Sequence, residues 1–166
     1  MEKEKTVCFT GHRVISAEDM PVVMSRLYSL MAELISRGYE NFICGGAVGF
    51  DTLAAESVIG FKARFPHIKL ILCLPCRDQT AKWASVSDLA KYKEILGKAD
   101  EVEYIQPLYT DGCMHKRNRW MVDNSSVCVS FLKQRRGGTL YTYNYAKKSG
   151  LEVHNLADIF ENVSFI

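Results

Sequence analysis

"FICGGAVGFDTLAAE", residues 42–56, passes from an apolar run through three glycines in five positions into a helix-like pattern. A turn this tight and this poor in side chains has two uses. It folds a strand back into a helix, or it brings bare backbone N–H groups up to a phosphate. Either use needs a strand before it and a helix after it. The stretch therefore predicts a βα unit, and the rest of the chain has to say how many there are.

Working outward, short apolar runs recur at "TVCFTG" (6–11), "NFICGG" (41–46), "IKLILCLP" (68–75), "EVEYI" (101–105), "SVCVSFL" (126–132) and "LEVHNL" (151–156). Each has strand length and β-branched or aromatic character, and most are nearly continuous in hydrophobicity, as strands buried on both faces are. Between the first two, Met20, Val23, Met24, Leu27, Leu30, Met31, Leu34 and Ile35 keep the three-and-four spacing of an amphipathic helix. Ser16 or Asp19 is placed to cap it, Pro21 is tolerated in its first turn, and Gly38 is placed to end it. Further helices are predicted at about 50–64, 85–98, 113–124 and 139–149. Strand and helix alternate throughout. The fold class is α/β, with a mostly parallel sheet covered by helices on both faces.

Composition narrows the function classes. The 166 residues suffice for one domain, 1–166, with a full core, and 48% apolar against 24% charged residues argues against bulk disorder. A net charge of +2 gives no global pull toward DNA or a membrane surface, so nucleic acid is not the expected partner. No stretch is long enough to span a bilayer, and "MEKEKTVCFTG" does not read as a signal peptide. Cys8, Cys44 and Cys128 lie inside strand-like runs, where cysteine behaves as a small hydrophobe. The expected location is the reducing cytoplasm.

In an open α/β sheet, ligands bind outside the carboxyl ends of the strands, so the loops there carry the functional reading. They are "TGHR" (10–13), "GGAVGFD" (45–51), "PCRDQTAKW" (75–83), "YTDGCMHKRNRW" (109–120) and "KQRRGGT" (133–139). Arg13, Arg77, Lys116, Arg117, Arg119, Arg135 and Arg136 all fall on this rim, whereas the opposite loops, "RGYE", "PH", "GKAD" and "KKSG", hold no comparable set. Guanidinium forks and helix N-termini both favour phosphates. The first glycine turn is neither a full GxGxxG nor a Walker A loop, and alone it reads equally as a plain turn. The second, at Gly137 and Gly138 before Thr139, also follows a strand and opens a helix, which tips the balance toward phosphate. Asp51 is placed either to cap its helix or to accept from a ribose.

"CLPC" (73–76) has redox or half-zinc spacing, with Cys113 and His115 as further candidate ligands. The polar loop after it and the irregular "CMH" spacing favour two unpaired cysteines, so no metal is assigned. Trp83 and Trp120 lie beside the rim with Gln79 and Asn118; an indole there stacks on a base or simply packs, and Trp83 is the better candidate. His12, with no visible partner, reads as a binding or turn residue.

Five blocks in order, "TGHR", "GGAVGFDTLAAE", "LPCRDQTAKW", "KRNRWMVDNSS" and "GGTLYTYNYAKKSG", resemble the SLOG superfamily over about residues 6–154. That group takes in the LOG nucleotide phosphoribohydrolases and the DNA-processing protein DprA, and this chain looks most similar to its YpsA-like branch. The resemblance implies a Rossmann-like sheet that binds or senses a nucleotide-derived phosphate ligand, of the ADP-ribose or NAD type, in the glycine-rich crevice. No other cofactor is implied. The ligand residues expected are Thr10, Gly11, His12, Arg13, Gly45, Gly46, Gly49, Asp51, Arg77, Gln79, Trp83, Asn118, Arg119, Gly137, Gly138 and Thr139. Related SLOG proteins commonly associate, which makes a homodimer an expectation without a legible seam.

One departure bears on catalysis. LOG-type hydrolases carry PGGxGTxxE, whose glutamate is tied to cleavage of the N-glycosidic bond. Here the block reads "RRGGTLYTYNYA", with Thr142 in the glutamate's place. An acid or base would have to come from Asp51, Asp78 or Asp123 instead. LOG-type hydrolysis and DprA-like single-strand DNA binding stand as alternatives to sensing. Against the DNA reading, the chain shows no basic strip interleaved with aromatics.

Overall fold

A computed structural model describes residues 1–157 of the protein. Six parallel strands form one sheet: β1 (Thr6–Gly11), β2 (Asn41–Cys44), β3 (Lys69–Leu74), β4 (Glu101–Tyr104), β5 (Val127–Phe131) and β6 (Glu152–Asn155). Among the described residues five α-helices alternate with them: α1 (Met20–Ser36), α2 (Phe50–Lys62), α3 (Val86–Lys98), α4 (Cys113–Asp123) and α5 (Gly137–Lys148). The fold is Rossmann-like α/β. The order across the sheet is β4-β3-β2-β1-β5-β6. The chain therefore walks outward from β1 to β4, returns past β1, and walks the other way through β5 and β6. Because parallel crossovers are right-handed, reversing the walk moves the covering helices to the opposite face.

Two apolar layers follow from this. Val7, Phe9, Phe42, Cys44, Leu70, Leu72, Val127 and Val129 point to the face covered by α1, α2 and α3, where Leu27, Met31, Leu34, Ala54, Val58 and Ile95 meet them. The alternate residues Cys8, Ile43, Ile71, Cys73 and Cys128 point to the face under Met121 and Val122 of α4 and Ala146 of α5. Both layers are buried, which explains why the central strands read as continuous apolar runs.

The ends of the elements follow local chemistry. Asp19 stands at the N-cap of α1 without a side-chain cap: its N–H donates to the Ser16 hydroxyl in the turn before the helix, and its carboxylate pairs with Lys133 at 2.5 Å. Gly38 closes α1 with φ of 96° and its N–H on the Ile35 carbonyl. Ser85 caps α3, accepting from the Asp88 N–H at 3.2 Å. No described helix is long and apolar enough to cross a membrane.

Candidate functional site

Between β1 and β5 the direction of the walk reverses, and the loops leaving these two strands part. A cavity of about 480 Å³ opens there, where such sheets bind ligands. Thr10, Gly11, His12 and Arg13 line it from the end of β1, and Gln134, Arg136, Gly137, Gly138 and Thr139 line it from the loop after β5. The β2–α2 turn contributes Ala47 and Asp51. One face of α4 closes it with Met114, Arg117, Asn118 and Met121, spaced by three and four residues along the helix, together with His115.

The wall from α5 is a helix N-terminus. Residue 136, at the N-cap position, is an arginine that makes no side-chain cap, and Gly137 takes φ of 75° to turn the chain into the helix. The first N–H groups of a helix have no acceptor within it, so this end offers donors and a positive dipole. The loop before it is held from β1: His12 Nε2 accepts from the backbone N–H of Lys133 at 3.0 Å and of Gln134 at 2.9 Å. A ring nitrogen that accepts twice must be unprotonated. Partial burial, then the charge of Arg136, hold the His12 pKa below its usual value and keep it so. His12 is thus a clamp, with Nε2 already engaged.

On the opposite wall, Arg117 and Asp51 meet next to Gly45. Both are buried, at 6% exposure each. The Arg117 guanidinium donates to the Gly45 carbonyl and, through Nε, to Asn118 Oδ1 at 2.7 Å. Asp51 accepts from the Ala47 N–H at 3.2 Å. Burial pushes its pKa up to about 6, held from rising further by the charge of Arg117, the Ala47 hydrogen bond and the charge of Arg13. With Arg13, Arg117 and Arg136 against one carboxylate, the cavity wall is cationic. A separate cavity of about 410 Å³ shares His12, Arg13 and Gln134 as lining residues and reaches Lys133 and Asp19.

Of the residues read from sequence, Thr10, Gly11, His12, Arg13, Asp51, Asn118, Gly137, Gly138 and Thr139 come together in the main cavity. The other three glycines serve the turn itself. A Cβ at Gly45 would lie 2.7 Å from the Arg117 guanidinium, one at Gly46 would run into Leu74, and one at Gly49 would run into the Arg13 carbonyl. Gly49 also has φ of 78°. Gln79 donates to the Gly46 carbonyl at 3.2 Å, and Trp83 packs edge-on against Tyr92 at 5.4 Å. The space between Trp83, Tyr92 and Gly46 is only about 10 Å³, too small for a base. Arg77 lies over the Tyr104 ring at 4.2 Å, and Arg119 donates to the Tyr141 hydroxyl at 2.9 Å. Of the other two carboxylates, Asp78 accepts from the Tyr109 N–H and Asp123 from the Tyr145 hydroxyl, both outside the cavity.

Arg117, Arg136, His115 and Gln134 are lining residues that the sequence did not single out as ligand contacts. The signal for the α4 set was present: a helix that presents Asn118 to a site also presents residues 114, 115 and 121. All six cysteines are free and buried. Burial raises Cys73 to about 12, and burial with the neighbouring Asp78 raises Cys76 to about 11, so neither is a thiolate at neutral pH. Among the described residues no group of three or more His, Cys, Asp or Glu is placed to hold a metal ion.

Comparison with known proteins agrees with this architecture. A profile described as the YspA SLOG family matches residues 8–159. The chain is 33% identical over 139 residues to the SPbeta prophage-derived protein YoqJ of Bacillus subtilis, covering 76% of this chain and 81% of that one. It is also 33% identical over 118 residues to a UPF0398 protein of Halalkalibacterium halodurans, covering 69% of this chain and 62% of the relative. Among solved structures, DNA processing protein A (DprA) from Streptococcus pneumoniae superposes with a TM-score of 0.67 at 18% identity. The match covers 98% of this chain but only 54% of that protein. DprA from Helicobacter pylori, whose structure concerns its single-stranded DNA binding mode, superposes with a TM-score of 0.62 at 20% identity, over 91% and 64%. At these identities the two likenesses speak to the fold alone.

Proposed function

The chain belongs to the YspA SLOG family, and from that premise we propose that it binds or senses a nucleotide or nucleotide-derived phosphate in the cavity between β1 and β5. One observation carries the reading: α5 begins at Gly137 without a side-chain cap, and its open N-terminus faces a cavity that Arg13, Arg117 and Arg136 also line. Donors, dipole and fixed positive charge converge on one point, which is what an anion requires. The phosphate would rest on Gly137, Gly138 and Thr139. Asp51 and Asn118 would face the sugar, and the neighbouring cavity that shares His12, Arg13 and Gln134 would take the rest of a ligand longer than a mononucleotide, of the ADP-ribose or NAD type.

A second reading rests on Asp51. It is a buried carboxylate on the cavity wall whose pKa near 6 lets it exchange a proton close to neutrality, as a general acid or base must. On this reading the protein hydrolyses or transfers at the N-glycosidic bond of a nucleotide. The first reading is tested by mass spectrometry of small molecules released on denaturing the purified protein, and by thermal-shift measurement with AMP, ADP-ribose and NAD. A panel that leaves the melting temperature unmoved would remove it. Chromatography for free adenine after incubation with AMP decides the second: release that Asp51→Asn abolishes establishes turnover, and no release leaves a binding module.

A further inference from the structure

His115 lies on the first turn of α4 and lines the same cavity as Arg136, Gly137 and Thr139. Its imidazole stacks on Tyr141 with ring centres 4.2 Å apart and planes 23° from parallel. Tyr141 in turn stacks over Tyr145 at 6.3 Å and 7°. The two tyrosines are tethered at their far ends: the Tyr141 hydroxyl accepts from Arg119 at 2.9 Å, and the Tyr145 hydroxyl donates to Asp123 at 2.7 Å. The result is a ladder of three rings, two of them fixed at the hydroxyl, ending in an exposed imidazole at the cavity. Among the described residues that imidazole makes no hydrogen bond, so the stacking alone orients it.

Packing alone does not account for an exposed ring held flat in this way. We propose that His115, backed by Tyr141, is the platform on which the aromatic base of the ligand stacks; the inference rests on the nucleotide reading above and names its base subsite. The spacing suits it. Tyr141 stands four residues beyond Gly137 on α5, roughly 6 Å along the axis. That is the span a ribose bridges between its 5′-phosphate and its base. A phosphate at the start of α5 therefore brings the base alongside the ladder. Stacking of this kind is tolerant of base identity, because every base presents a π face. The platform thus selects for the presence of a base.

The test compares two probes that differ only in the base, AMP and ribose 5-phosphate, by calorimetry at fixed pH and salt. The wild-type protein binds AMP more tightly. His115→Ala weakens AMP binding about 5- to 100-fold and leaves ribose 5-phosphate unchanged. His115→Phe, which keeps a ring, restores the preference. Tyr141→Leu removes the backing ring without touching His115 and weakens AMP selectively, though less. In the wild-type protein, the His115 ring proton resonances move upfield on adding AMP and stay in place with ribose 5-phosphate. Equal wild-type affinity for the two probes, or an equal loss of both in His115→Ala, overturns the platform while leaving the phosphate site standing. Binding of neither probe overturns the nucleotide reading and the platform with it.

Discussion

Arg117 and Asp51 are two buried charges of opposite sign that flank Gly45. The charge of Arg117 offsets part of the cost of ionising Asp51. Removing one partner of such a pair leaves an uncompensated charge, so Arg117→Met is expected to lose about 3 kcal/mol in urea unfolding. The double variant Arg117→Met/Asp51→Asn should recover a large part of that loss, because both charges are then gone. Asp51 alone has a pH signature. Its folded pKa is raised from 3.8 to about 6, so the folded state holds the proton more firmly than the unfolded state. The stability this contributes is complete below 3.8 and is lost as pH rises through 6. Asp51→Asn should therefore abolish this slope: between pH 4 and pH 7 the wild type loses about 2–3 kcal/mol that the variant does not, measured as paired denaturation curves.

The N-terminus of α5 yields a contrast between adjacent glycines. Gly137 has φ of 75°, and a Cβ there meets nothing within 4 Å, so Gly137→Ala is strained only by its backbone and should cost about 1–2 kcal/mol. At Gly138 a Cβ would lie 3.9 Å from Asn118, an ordinary contact, and alanine suits the helix better than glycine. Gly138→Ala should leave the free protein as stable as the wild type, or slightly more so, while weakening AMP binding by crowding the phosphate; melting curves with and without AMP separate the two effects. The elements themselves were legible in the chain. The continuous apolar runs and the glycine turns marked strands and helix starts to within a few residues. What the sequence could not show was which strands lie side by side. The loop after β3, with Arg77, Gln79 and Trp83, sits two strands from β1, while the loop after β5 is its neighbour. Strand order is a long-range property, and no local pattern in "LPCRDQTAKW" carries it. The face of α4 was obscured differently. "CMHKRNRWMVD" is so polar overall that a buried arginine does not stand out from solvated ones.

For the molecule as a whole, the proposed ligand acts by linkage. A ligand that binds only the folded state at a hundred times its dissociation constant adds about 2.7 kcal/mol, which for a chain of this length raises the melting temperature by roughly 5–10 °C. Arg136→Gln, which removes an exposed cavity charge, should shrink that rise while leaving the melting temperature of the free protein nearly unchanged, read from the same scans.

The pairing of Val7 with Val127 has a consequence in time. A ribosome adding about 5–20 residues per second makes β1 on the order of ten seconds before the strand that completes its second side. Throughout that interval the nascent half-sheet exposes one edge of its middle strand, the kind of edge that recruits other chains. Both walls of the cavity between β1 and β5 are present only after β5 and α5 have emerged. A small molecule therefore cannot rescue the protein during its vulnerable early synthesis; it can only secure the finished one.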